Sequence, residues 1–167
     1  RSMAAAVMFG ERGFGGRSAV EWFEHGVACE RAERLEDAAQ AYHFAVEADP
    51  RFAEAWFNLG NLLRDAGLLD EAVEAFRTAV GEQPRLASGW YNLGDLLFEL
   101  GRPDAAITAL GQAVDADPDH ADAHYNLALC LESVGRWAEA RAHWRRYLTL
   151  DDSSPWAEVA RRHLSRP

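Results

Sequence analysis

A fixed interval governs this chain. "EAWFNLGNLL" spans Glu54–Leu63, "SGWYNLGDLL" spans Ser88–Leu97 and "DAHYNLALCL" spans Asp122–Leu131, each 34 residues after the one before. With Ala19 as position 1, the register runs without insertion through Ala19–Phe52, Ala53–Leu86, Ala87–His120 and Ala121–Ser154. A period of this length marks one supersecondary unit that cannot bury its apolar face alone, so successive copies must stack and share a core.

The columns of the register say what each copy looks like. Position 4 reads Trp22, Trp56, Trp90, His124, and position 8 reads Gly26, Gly60, Gly94, Ala128. Positions 4, 7, 8 and 11 recur at helical spacing and predict one buried stripe on a first helix. A large residue at 4 with a small one at 8 predicts a close approach of a second helix over the glycine. Gly67, Gly101 and Gly135 at position 15 are placed to end the first helix in a left-handed conformation. The second helix carries Ala38, Ala72, Ala106 and Ala140 at position 20 and Tyr42, Phe76, Leu110 and Trp144 at position 24. Position 27 is alanine except for Tyr147, and Pro50, Pro84 and Pro118 at position 32 stop the second helix.

This pattern resembles the tetratricopeptide repeat, whose signature is W-x2-L-G-x2-Y, then A-x3-F, then P. Trp56, Leu59, Gly60, Ala72, Phe76 and Pro84 match it, while Cys29, Leu63, Leu97 and Leu131 at position 11 replace the family's tyrosine and keep the burial. The resemblance covers Ala19 to Ser154 and implies an all-α, right-handed superhelical solenoid of helix-turn-helix repeats. The expected organisation is a leader over 1–18, four units over 19–52, 53–86, 87–120 and 121–154, and a C-terminal capping helix over 155–167. Arg1-Ser2 ahead of Met3 reads as a cloning scar, and the apolar stretch Ala4 to Phe9 is expected to lie in a groove of its own or of a neighbouring molecule. In the cap, Trp156, Val159, Ala160 and Leu164 share one helical face, expected to close the last unit, with Ser154 and Pro155 as its start. Trp144 and Tyr147 are read as adaptations to that cap.

In this family, positions 2, 5, 6, 9 and 12 of the first helix line the inner face of the curve. The resemblance therefore implies a peptide-binding surface built from Phe57, Asn58, Asn61, Arg64, Tyr91, Asn92, Asp95, Tyr125 and Asn126. Asparagine recurs at position 6 in three copies, and its amide offers a donor and an acceptor that match one peptide group of an extended chain. Such an asparagine ladder grips a backbone without reading its sequence, and the aromatic column at position 5 supplies apolar contact. The competing reading is that these amides only brace neighbouring helices. A clamp for a terminal carboxylate fails on charge, because the surface presents Glu24, Glu30, Glu54 and Asp95 and only Arg64 is basic.

Composition narrows the function classes. The net charge is −10, and residues 19–134 hold 22 acids against 7 arginines. A body of that sign does not attract phosphate, so nucleic acid is disfavoured as the main ligand and a neutral or basic partner is favoured. No apolar run is long enough to span a membrane. Two unrelated cysteines, Cys29 and Cys130, point to a reduced, cytoplasmic setting, and the absence of lysine among the 17 basic residues to a GC-rich, bacterial coding bias. His120 and His124 stand at i, i+4, but two histidines without a third ligand do not make a metal site. The glycine-rich leader "FGERGFGGRS" lacks the lysine and strand of a phosphate loop. No nucleophile, base and orienter converge, so no enzyme and no cofactor are expected.

The expected function is protein–protein interaction: a scaffold or adaptor holding an extended segment of a protein or peptide partner. Self-association through the leader or the cap is a further expectation. The alternative is a sensor or dimerisation arm of a bacterial transcription regulator, which "AVEWFEHGVACE", "HWRRYL" and "SPWAEVARRHL" resemble.

Overall fold

The protein, seen in a computed structural model, is described over residues 16–166. Among the described residues it is all-helical: α1 (Ala19–Arg31), α2 (Leu35–Ala48), α3 (Ala53–Asp65), α4 (Leu69–Glu82), α5 (Ala87–Glu99), α6 (Pro103–Ala116), α7 (Ala121–Ser133), α8 (Trp137–Leu150) and α9 (Pro155–Leu164). No helix is long and apolar enough to cross a membrane. The leader's Ala4–Phe9 lies outside the described residues.

Local chemistry sets the helix ends. Ser18 caps α1 in a reciprocal box: its Oγ accepts the Glu21 N–H at 3.2 Å, and the Glu21 carboxylate accepts the Ser18 N–H at 2.7 Å. Ser154 caps α9, with Pro155 as the first helical residue. Each first helix of a pair ends alike. The N–H of Arg34, Leu68, Arg102 and Arg136 returns at 2.9 Å to the carbonyl of Cys29, Leu63, Leu97 and Leu131. That bond requires a left-handed residue just before it, and Gly67, Gly101 and Gly135 supply φ of 76°, 69° and 78°. In the first pair Glu33 holds the same conformation at φ 57°.

The chain forms two compact units, one ending at Gln83 and one beginning at Pro84. In the first, α1 to α4 pack each against its successor around Tyr42 and Phe76, which are fully buried. A Cβ on Gly26 would lie 2.5 Å from the Tyr42 ring, and one on Gly60 2.7 Å from the Phe76 ring. The second unit, α5 to α9, repeats this with Gly94, whose Cβ would lie 2.6 Å from Leu110. The bulk facing the small residue at position 8 is thus the side chain at position 24, which is the close approach of the second helix over the glycine that the sequence predicts. Two of the position-4 tryptophans tie down the preceding turn. Trp56 and Trp90 donate their indole N–H to the carbonyls of Pro50 and Pro84 at 2.8 and 2.9 Å.

The buried surface is also wider than one stripe. Ala55 and Ala123 at position 3, and Leu62, Leu96 and Cys130 at position 10, are buried too. In the first unit Ala55 and Leu62 join Tyr42, Ala45 and Val46 of α2, because a first helix packs on the preceding second helix as well as on its own. At the other end, α9 buries Ala157 and Ala160. Trp156, expected on the closing face, is instead 61% exposed. Its helix turns the alanines inward, which lets α9 lie close on α8 and points the indole elsewhere.

Candidate functional site

The predicted surface residues fall on first helices, and each unit holds its own share. In the first unit, α3 carries Phe57, Asn58, Asn61 and Arg64, all half-buried and spaced along one side of the helix. Phe57 stands 6.0 Å from the Phe76 ring. Asn58 donates through Nδ2 to the Tyr42 hydroxyl at 3.2 Å, and that hydroxyl donates to Glu30 at 2.6 Å. Burial, with the Glu30 bond, raises the Tyr42 pKa, so the phenol keeps its proton. Glu30, expected to face a ligand, is therefore a half-buried acceptor engaged within the fold. Glu132, at the same register position in the last pair, does likewise for the Trp144 indole at 2.7 Å.

In the second unit, α5 carries Tyr91, Asn92 and Asp95, and α7 carries Tyr125 and Asn126. Asn126 ties the two helices: its Nδ2 donates to Asp95 Oδ1 at 2.9 Å and reaches the Tyr91 hydroxyl at 3.4 Å. Asn61, Arg64, Asn92 and Asp95 each have interaction partners within the fold. At Asn58 and Asn126 the amide donors brace the preceding helix pair, while each carboxamide oxygen accepts no hydrogen bond among the described residues.

Around Asn126 the second unit opens a pocket of about 260 Å³, lined by Tyr91, Asp122, Tyr125, Asn126, Tyr147 and Trp156. Four helices contribute: α5, α7, α8 and α9. Tyr125 is its centre, with ring centroids 5.2 Å from Tyr147 and 5.8 Å from Trp156, both at steep interplanar angles, and 4.9 Å from the Trp144 ring beneath. Tyr147 is buried, and its hydroxyl donates to Asp151 at 2.8 Å. Hydrogen bonds from the Ser154 side chain, Tyr147 and the Ser154 backbone bring the Asp151 carboxyl down to about 2. Burial raises Tyr125 and Tyr147, the latter with the Asp151 and Asp122 charges adding to the effect.

The sequence pointed to Tyr91, Tyr125 and Asn126 in this pocket, placed Asp122 on the same inner face through position 2 without naming it as a contact, and missed Tyr147 and Trp156 as lining. The signal was present. Trp156 continues the register as position 2 of a fifth copy, and Tyr147 breaks the alanine column at position 27. The same two departures, read as fitting the cap to the last unit, also build the aromatic wall.

The histidines serve the fold. His120 Nδ1 accepts the Ala123 N–H at 3.2 Å and caps α7. His124 is buried, with Nε2 2.9 Å from the Pro118 carbonyl and Nδ1 3.0 Å from Nδ1 of His143. Among the described residues no three histidine, cysteine, aspartate or glutamate side chains converge as a metal set.

Comparison with known proteins places this arrangement. No curated protein sequence matches the chain. A MamA protein crystal structure shares 26% identity at a TM-score of 0.78, covering 87% of this chain and 78% of that one. YrrB, described as a TPR protein with an unusual peptide-binding site, superposes at a TM-score of 0.78 with 21% identity over 99% of this chain and 86% of its own. A tetratricopeptide repeat protein from Parabacteroides merdae ATCC 43184 gives a TM-score of 0.77 and 21% identity, over 87% of this chain and 58% of that one. The tetratricopeptide-repeat family pattern matches residues 23–87 and 91–155, well over half of the sequence. With its paired helices, its glycine-ended first helices and that match, the chain belongs to the tetratricopeptide-repeat family.

Proposed function

We propose that the chain is a protein-interaction scaffold that binds an extended, neutral or basic peptide segment through the first-helix faces bearing Phe57, Asn58, Asn61 and Arg64 in one unit and Tyr91, Asn92, Asp95, Tyr125 and Asn126 in the other. The observation that carries this reading is the open pocket around Asn126. It combines aromatic surface, which supplies contact area at low entropic cost, with a carboxamide oxygen placed to accept a peptide N–H. Asn58 offers the same acceptor in the first unit. The acidic balance supports a ligand without negative charge. Two unpaired, buried thiols, Cys29 and Cys130, fit a cytoplasmic place of work. YrrB's described peptide-binding site supports the reading from a protein of the same fold.

The test is selection from a display library of random twelve-residue peptides, followed by fluorescence anisotropy on the purified chain. The same titration is run on the triple variant Asn58→Ala/Asn92→Ala/Asn126→Ala once circular dichroism shows it folded. Peptides that bind the native chain and lose about tenfold or more in the variant support the reading. Selected peptides that bind both proteins equally overturn it, as does a library that yields no binder.

A further inference from the structure

We propose that the pocket formed by Tyr91, Tyr125, Tyr147, Trp156 and Asp122 is a receptor for one cationic side chain, an arginine or lysine end group, which anchors the bound segment. The inference rests on the peptide-binding reading above and names what that surface selects.

Three observations converge. The first is geometry. Tyr125, Tyr147 and Trp156 meet at interplanar angles of 68° and 79°, so their rings form the walls of a box, not a stack, and Tyr91 adds a further aromatic side. The faces of aromatic rings carry negative quadrupole density, and the exposed Trp156 with the half-buried Tyr125 offers ring surface that attracts a cation within about 6 Å of a centroid. The second is charge. Asp122 lines the box, is exposed, and forms no ion pair among the described residues. Asp95 and Asp151 stand just behind it, bonded to Asn126 and to the Tyr147 hydroxyl. Hydrogen bonds hold Asp151 ionised. The third is register. Position 27 is alanine in the first three units, and position 2 of the copy that follows each of them is Glu54, Ser88 or Asp122. The aromatic pair Tyr147 and Trp156 occurs at this one place, where it leaves a 61% exposed tryptophan that the packing of α9 does not require.

The charge of Arg162 acts on Tyr125, and Arg162 is not among the residues that line the box. It gives a control of opposite sign, because its removal takes away a positive charge that repels the ligand. A neutral apolar side chain would fill the volume but gain nothing from the Asp122 carboxylate beside it. An acidic side chain would meet Asp122 directly.

The probes are four blocked pentapeptides, acetyl-Gly-Gly-X-Gly-Gly-amide, with X as arginine, its neutral isostere citrulline, trimethyl-lysine, or the uncharged tert-butyl analogue of trimethyl-lysine. Binding is followed by NMR through the Trp156 indole N–H, assigned by its loss in Trp156→Leu, and through the Tyr125 backbone N–H, which serves as the reporter in that variant. The expected result is saturable shifts with arginine and trimethyl-lysine and affinities about fivefold or more lower for both neutral isosteres. Trp156→Leu and Asp122→Asn weaken the charged probes while the rest of the spectrum stays in place, and Arg162→Ala tightens them. Equal binding of charged and neutral members of a pair overturns the inference, as does binding that ignores Trp156 and Asp122. The two readings separate cleanly. Library peptides that depend on the asparagines yet tolerate replacement of every arginine and lysine keep the scaffold and remove the box. Charged probes that bind when no library peptide does keep the box and remove the extended-peptide reading.

Discussion

His124 Nε2 lies 2.9 Å from the Pro118 carbonyl, in the place where Trp56 and Trp90 donate to Pro50 and Pro84. A proline carbonyl is not a donor, so the proton sits on Nε2, and His124 Nδ1 accepts from Nδ1 of His143 at 3.0 Å. The imidazole thus reproduces the indole's hydrogen bond with a smaller ring, and His143 fills the remaining volume at position 23, where Ala41, Ala75 and Ala109 stand in the other pairs.

Both rings are neutral in this arrangement, and burial lowers the pKa of each, with the partner histidine's charge adding to the effect at His143. The unfolded chain takes up protons near the ordinary histidine value of about 6.5. The folded chain does so only at lower pH, so this pair's contribution is full above that value and is lost as pH falls through it toward the folded values. Urea unfolding at pH 7.5 and pH 5.5 is expected to show lower stability at the acid end. The double variant His124→Trp/His143→Ala restores the pattern of the other pairs and is expected to flatten that difference. His124→Trp alone crowds His143 and is expected to be less stable than the double variant at both pH values.

Glu33 sits in the left-handed region at φ 57°, where the three later pairs have glycine. A side chain there costs about 1 kcal/mol, so Glu33→Gly is expected to raise stability by about that amount in chemical denaturation. Gly67→Ala is the mirror experiment. No atom lies within 4 Å of where its Cβ would be, so its loss of about 1 kcal/mol reports backbone strain alone.

The fold was readable because a 34-residue register restates the same constraints: the left-handed glycines in three copies, and the position-24 bulk and the position-20 alanine in all four, lie in sequence. What the register hid is pairing between columns. The Trp at position 4 was legible as large and apolar, but its indole bond to the preceding proline carbonyl depends on where the turn brings that carbonyl. The exchange of Trp and Ala for His124 and His143 is visible only when positions 4 and 23 are read together. The candidate site divided in the same way. Tyr91, Tyr125 and Asn126 came from columns, while Trp156 could not be oriented until α9 was seen to turn Ala157 and Ala160 inward. Asn58 and Asn126 were legible as a polar column, yet their bonds to Tyr42, Tyr91 and Asp95 cross between helix pairs, where spacing carries no information.

Helical glycines divide by what their missing Cβ would touch. Gly60 faces the Phe76 ring, with 2.7 Å to the nearest carbon, and the ring is fully buried and cannot move aside. Gly60→Ala is expected to cost about 1–3 kcal/mol by overpacking. Gly111 lies within α6 with no atom inside 4 Å of its Cβ position, so Gly111→Ala is expected to gain about 1 kcal/mol from helix propensity. Opposite shifts in the denaturation midpoint of the two variants check the assignment.

One carboxylate joins the cap to the last helix pair. Glu132 on α7 accepts the Trp144 indole N–H of α8 at 2.7 Å through Oε1 and lies 2.7 Å from His163 Nδ1 of α9 through Oε2. The Trp144 and His163 rings stack at 4.7 Å above it, and the paired side chains of Glu132 and His163 are only 11% and 13% exposed. Glu132→Ala would leave a fully buried indole N–H and a shielded imidazole nitrogen without an acceptor, at a cost of about 2 kcal/mol or more. Beyond that carboxylate α9 is anchored by the buried Ala157 and Ala160 and by Arg141 of α8, which donates to the Leu164 and Arg166 carbonyls at 3.0 Å, so the loss should loosen the cap before the rest of the unit. Amide hydrogen exchange of the variant is expected to quicken across α9 while α5 and α6 keep native protection. Uniform loss of protection throughout the second unit would instead make Glu132 part of the common core, and His163→Ala separates the two outcomes, since it removes the link to α9 and leaves the Trp144 bond in place.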